Sequence, residues 1–340
     1  MTRKLATVQR IAEIKDIEGA DRIQAYRING WWVVGQKGEY SEGDLVVFCE
    51  VDSWIPTELA PFLSKGKEPK EFEGIKGERL RTIRLKKQLS QGLILPLSIL
   101  PAIVHHDGTN TSEGADVTEI LGIKKWEKPV SPQLAGMTKG SFPSFIPKTD
   151  QERIQNISQK TIDSWIQQGL TWEVTEKLHG SSMTVYFNQG DYGVCSRNVD
   201  LKFDMNNTFW KIAVETQVLT RMMQYCMVGR RNLAIQGELI GEGINGNQYG
   251  LCGHEFRIFD IFDIDKQEYL SHTDRSCLVE RFEEVPVYAP AMYLQEGTTS
   301  STILAIGSER EGLVFKCNED PSISFKAVSN KWLLGGGEDQ

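Results

Sequence analysis

Apolar and polar positions alternate in short runs through the first hundred residues. Leu5–Val8, Arg22–Ile28, Trp31–Val34, Leu45–Cys49, Arg79–Leu85 and Leu93–Leu95 each show the two-residue period or the unbroken apolar run of a strand. Asn29-Gly30 separates two of them and predicts a tight hairpin. Strands this short and this closely spaced predict a small closed or partly closed barrel over residues 1–104. The pattern lapses over residues 105–147. His105-His106-Asp107-Gly108 opens a polar loop, and its adjacent histidines read as loop residues rather than metal ligands. Prolines at 129, 132, 143 and 147 give this stretch the composition of a connector, with a domain boundary expected between Ser141 and Pro147.

Periodicity returns over residues 148–340. Asp150 before Gln151–Gln155 predicts a helix start, and Thr161–Gln168 reads as helix closed by Gly169. Strand-like runs at Leu170–Val174 and Met183–Phe187 flank Thr175-Glu176-Lys177-Leu178-His179-Gly180-Ser181-Ser182. This arrangement predicts a hairpin with Lys177 at a strand end beside a glycine turn. Such a lysine can reach into a cleft where backbone approaches a phosphate, although a surface lysine fits the same residues. Further strands are expected at Tyr192–Asn198, Leu233–Ile240, Phe256–Phe262, Glu309–Lys316 and Ser322–Val328, with helix over residues 208–229. The fold class is therefore α+β.

Composition then narrows the function. No apolar run approaches the roughly 20 residues that span a membrane, and no apolar core follows Met-Thr-Arg-Lys, so neither an anchor nor a secretory signal is expected. The six cysteines form no CxxC pair, which points away from zinc and toward reduced thiols in the cytoplasm. With a net charge of -8, the chain does not bind nucleic acid through its overall charge, so any such contact must use a local basic patch. Lys76, Arg79, Arg81, Arg84, Lys86 and Lys87 form one dense basic run. Arg79 and Arg81 alternate with Leu80 and Thr82, so on a strand both point to the same face, a track for a phosphodiester backbone or a charged guard on an edge strand.

Two resemblances follow from these residues. Gly19-Ala20-Asp21-Arg22-Ile23, Ser41–Val47 and Ser90-Gln91-Gly92-Leu93 resemble the OB-fold modules that bind tRNA in some synthetases and their accessory factors. In the second half, EKLHG, SRN, GELIG, FRIFDIF, EGLVFK and SFKAVSNKWLL occur in order. That ordered set resembles the covalent nucleotidyltransferase superfamily, which contains ATP-dependent DNA ligases, RNA ligases and mRNA capping enzymes. His179 stands where DNA ligases usually carry aspartate, and the OB-like module precedes the catalytic segments instead of following them. Both details resemble a class of RNA ligases that seal 3'-OH/5'-phosphate breaks.

The resemblance implies roles. Lys177 would be the nucleophile that takes AMP from ATP before passing it to RNA. Lys326 would bind the α-phosphate, and Glu311 would hold waters of a Mg²⁺ or Mn²⁺ ion, with Glu238 a second candidate for the metal. Glu238 would also bind the ribose hydroxyls, Phe259 would stack on adenine and Glu176 would help to read it. Arg197 would contact the ribose or the end phosphate. Arg153 and Lys316 would serve the phosphates. In related ligases the last motif often has a second lysine, where this chain has Val328; Lys326 acts alone or Lys316 or Lys331 compensates. The expected partner is RNA with 3'-OH and 5'-phosphate ends, and the expected state is a monomer. The alternatives are a DNA ligase or capping-type enzyme of the same fold, or a non-catalytic RNA-binding protein.

Overall fold

The computed structural model of the chain describes residues 3–101, 111–127, 136–279 and 282–335. The expectations for His105, His106, Pro129 and Pro132 fall outside the described residues. The chain packs into two units, Met1–Pro129 with Gln155–Gln159, and Val130–Ile154 with Lys160–Gln340.

The first unit is organised by the strand Leu45–Cys49. It is apolar without a break because both of its faces are covered. Val47 and Cys49 enter a cluster with Leu5, Val8, Ile55 and Leu95. Val46 and Phe48 enter another with Tyr26, Trp31, Val33 and Ile94. Ala6–Arg10 and Leu93–Pro96 run antiparallel on either side of it. Ile23–Ile28 and Trp31–Gln36 form the expected hairpin, with Asn29 at φ 52°, a conformation asparagine tolerates.

Three expectations need correction in and around this unit. The strand expected over Arg79–Leu85 is two strands, Ile75–Arg79 and Ile83–Leu85, because Leu80 turns inward and is buried. Arg79 and Arg81 therefore do not share a strand face. Residues 111–127, expected as connector, belong to the unit's core: Val117, Leu121 and Ile123 are buried there, and the Thr118 hydroxyl accepts the Leu5 and Ala6 amides at 3.0 Å. The helix start expected at Gln151–Gln155 is instead a short strand, Glu152–Arg153, followed by a 3-10 turn over Ile154–Asn156. Arg153 and Ile154 are both buried, which a surface helix with an acidic first turn would not require. Within the first unit, the Asn156 side chain accepts the Trp31 indole N–H at 2.5 Å and donates to the buried Glu50 carboxylate.

The second unit contains a seven-stranded and a five-stranded sheet. Thr138–Ser141 already joins the larger sheet, so this unit begins before the proline-rich stretch ends. The helical region splits into Thr208–Glu215 and Val218–Gly229, with Gln217 at φ 61° between them. Trp210, Ile212, Ala213, Leu219 and Met222 pack these helices into the core of the larger sheet. Trp165, from the helix Gln159–Gln167, stacks on Phe325 of the smaller sheet.

The strands flanking Lys177 do not form a hairpin. Thr171–Glu176 pairs with Gly312–Cys317 and Val287–Tyr293 in the five-stranded sheet. Ser181–Asn188 pairs with Asp191–Cys195 and Leu233–Gly241 in the seven-stranded sheet. Residues 177–180 are thus a strap that crosses from one sheet to the other. The two-residue period marks both strands, but it carries no information on which strand each will join.

Candidate active site

The strap is tied to both sheets. The Lys177 amide donates to the Gly312 carbonyl at 3.0 Å on one side. The Gly180 amide donates to Glu238 Oε1 at 3.0 Å on the other. A β-carbon on Gly180 would lie 2.4 Å from the Leu239 carbonyl oxygen, so only glycine lets the strap run this close. Two side chains of the loop after Leu233–Gly241 fasten its middle: Tyr249 Oη accepts the His179 amide at 2.7 Å, and Asn245 Nδ2 donates to the Gly180 carbonyl at 2.6 Å. Leu178 is buried with Ile240 and Val285.

This fastening places one amine among carboxylates from both sheets. Lys177 Nζ donates to Glu311 Oε1, and Glu311 lies just before the strand Gly312–Cys317. Glu238 comes from Leu233–Gly241 in the other sheet, opposite Ser182. His179 Nδ1 lies 3.4 Å from Glu311 Oε2. Burial disfavours charge on Lys177, but Glu311 and Glu238 hold its amine above the ordinary range. Burial also works against the Glu311 carboxylate, yet Lys177 and His179 hold it below its ordinary range. Glu238 is pushed up to about 7 by burial, against the attraction of Lys177 and with repulsion from Glu311 adding to the rise. The charge of Arg197 acts on both Lys177 and Glu238.

The remaining expected residues divide into two groups. Lys326 Nζ donates to Asp150 Oδ1 at 2.9 Å, and Arg153 pairs in register with Lys326. Phe259 packs against the Leu178 cluster from a bulge: Gln236 opposes Asp260 while Gly237 opposes Ile258, leaving Phe259 as the extra residue that the bulge re-aims. Glu176 Oε2 accepts Arg310 Nη1 at 2.5 Å. Lys316 is differently placed. It is buried, and its ammonium donates to Asp260 Oδ1, tying the two sheets together instead of facing Lys177. Lys331 pairs with Glu309 at 2.8 Å on the surface, and Val328 is buried.

Sequence reasoning missed Asp150 as a partner of Lys326, and it missed Tyr249, Asn245 and Arg310 altogether. Arg310 sits immediately before the EGLVFK segment, beside Glu311, and could have been flagged. Asn245-Gly246-Asn247 signalled a turn, but nothing in it said that the turn would reach back to Gly180. In the basic run, Arg79 is a structural residue. Its guanidinium side chain is only 7% exposed, donates to Asp52 Oδ1 at 2.6 and 3.1 Å, and lies 3.9 Å from the Trp126 ring centroid.

Known proteins resemble this chain along its whole length. Residues 170–332 match the RNA ligase family, and residues 5–97 match an OB-fold domain family. The chain is 42% identical to Naegleria gruberi RNA ligase solved with pyrophosphate, over 100% of both chains, at a TM-score of 0.85. The chain belongs to the RNA ligase family. A variant of the Naegleria RNA ligase solved with AMP and Mn gives 42% identity over 97% of this chain and 98% of that one, at a TM-score of 0.84. Another variant, solved with ATP and Mn, gives 42% identity and 0.83 over the same shares. No curated protein sequence matches this RNA ligase. The ligase therefore combines an N-terminal OB-fold domain with a C-terminal nucleotidyltransferase domain, and RNA is its substrate.

Proposed function

We propose that this RNA ligase uses ATP to join a 3'-OH to a 5'-phosphate through AMP carried on Lys177. The observation that supports it is the Lys177 amine on a strap between two sheets, with a carboxylate from each sheet beside it. The amine attacks the α-phosphorus of ATP; an N–P bond forms and pyrophosphate leaves. A 5'-phosphate oxygen of RNA then takes the AMP, which breaks the N–P bond and returns the amine. Finally the 3'-OH attacks the activated 5'-phosphorus, loses its proton, and AMP departs.

An ammonium has no lone pair, so the first step needs Lys177 neutral. Burial already disfavours its charge, and the two carboxylates maintain it. Any positive charge that competes for Glu311 and Glu238 therefore releases a neutral amine. A divalent cation such as Mg²⁺ or Mn²⁺ fits these donors. Glu311 Oε2 is buried with only His179 Nδ1 near it, at 3.4 Å, and no three ligand side chains converge among the described residues. Those facts suit a cation that keeps most of its waters, held by Glu311 through water with Glu238 as second donor. When bound it would screen charge on phosphate oxygens. Lys326 would bind the α-phosphate in place of Asp150, Arg153 would serve the outer phosphates, Arg197 would reach the ribose or end phosphate, and Phe259 would lie against the purine. Glu238 would accept from the ribose hydroxyls.

The ligase is further read as a cytoplasmic monomer engaged in RNA repair; its five described cysteines are all free, and four are buried. Incubation with α-labelled ATP and Mg²⁺ should attach label to wild type and not to Lys177→Ala. Absence of label on folded wild-type protein would overturn the proposal.

A further inference from the structure

The hairpin at residues 83–90 is not used by the chemistry above. Ile83–Leu85 and Gln88–Ser90 form a two-stranded sheet of their own, with Leu85 opposite Gln88 across a two-residue turn. The turn residues are Lys86 and Lys87, at φ 47° and 68°. Two positive φ angles in a two-residue turn favour Asn-Gly, because a β-carbon is strained there. The chain carries two lysines in that strained position. Ile83, Arg84, Leu85, Lys86 and Lys87 are all exposed.

The tip also gathers three cations within four residues. Elsewhere in this unit, Lys37 pairs with Asp16, Lys76 with Glu68 and Lys124 with Glu73. Among the described residues, Arg84, Lys86 and Lys87 have no carboxylate partner. In a chain of net charge -8, three uncompensated cations on one exposed tip create a local positive field.

We propose that Arg84, Lys86 and Lys87 seat this hairpin on the phosphodiester backbone of the RNA substrate. This rests on RNA being the substrate and assigns the surface that holds it. The hairpin tip, and not the strand that ends at Arg79, is the basic element available to a ligand. Contacts to phosphate position RNA without reading bases, so the binding is indifferent to sequence and sensitive to salt.

The variant R84Q/K86N/K87G tests this in the full chain. Asn-Gly suits the turn, so the hairpin is kept and the protein unfolds no earlier than wild type. Label transfer from ATP to Lys177 without RNA proceeds at the wild-type rate. Binding to a nicked RNA duplex weakens, and the slope of log affinity against log salt becomes shallower by about 2 to 3. Wild-type affinity and slope in the variant would overturn the assignment. Failure of the wild type itself to take label would refute the ligation chemistry and leave the duplex-binding result to decide the hairpin's role.

Discussion

Replacing Glu238 with glutamine separates what the site needs from what the fold prefers. Burial raises this carboxyl from 4.5 to about 7, a value that already includes the attraction of Lys177. Between those pH values the folded protein keeps a proton that the unfolded chain has lost, so stability falls as pH rises through this window. At about 1.36 kcal/mol per pH unit, the cost above pH 7 is about 3 kcal/mol. A glutamine at this position would still accept the Gly180 amide and would carry no charge, so E238Q should lack this fall. Denaturant unfolding from pH 5 to 8.5 should show E238Q more stable than wild type above pH 7, by up to about 3 kcal/mol, with the difference closing toward pH 4.5. In a unit of this size the melting temperature should rise by about 6 to 12 °C above pH 7. Self-adenylylation should fall about tenfold to a hundredfold, the loss expected when hydrogen bonds from a charged group become neutral ones. Parallel stability curves for the two proteins across the pH range would refute the reasoning.

Gly180→Ala should slow label transfer to Lys177 on the order of a hundredfold, because relieving a 2.4 Å contact with the Leu239 carbonyl displaces the strap. Single-turnover labelling measures this, and a rate within threefold of wild type would contradict it. Lys316→Met should destabilise the protein by about 3 to 5 kcal/mol, since Asp260 would be left buried without its partner. K316M/D260L should recover most of that stability and the labelling rate with it; unrestored labelling in a stable double variant would put Lys316 on a phosphate instead.

The strands of the second unit were legible as apolar runs bounded by turns, although Ser181–Asn188 and Leu233–Gly241 are buried nearly throughout instead of alternating; Lys177, Glu238, Glu311 and Lys326 were singled out by the ordered motifs of the family resemblance. Pairing was not legible. Thr171–Glu176 and Ser181–Asn188 look like a hairpin because two strands around a glycine usually are one, and only long-range packing sends them to different sheets. The family resemblance puts Lys316 on the phosphates; its partner in the fold, Asp260, is 56 residues away in sequence. Arg79 looked like part of a basic track because sequence does not show that Leu80 is buried or that Asp52 and Trp126 lie waiting. The proline-rich stretch had the composition of a linker although Ile146 within it is buried against Tyr186 and Phe262.

The first unit borrows Gln155–Gln159 from a point in the chain beyond its own last continuous residue. A fragment truncated at Pro129 would take one hydrogen-bond partner, Asn156, from each of the buried Trp31 and Glu50 side chains. Such a barrel is not an exchangeable cassette. Grafting it onto another enzyme would require carrying the five-residue insert along or redesigning the hole that its removal leaves, which makes the two halves of this ligase hard for recombination to separate.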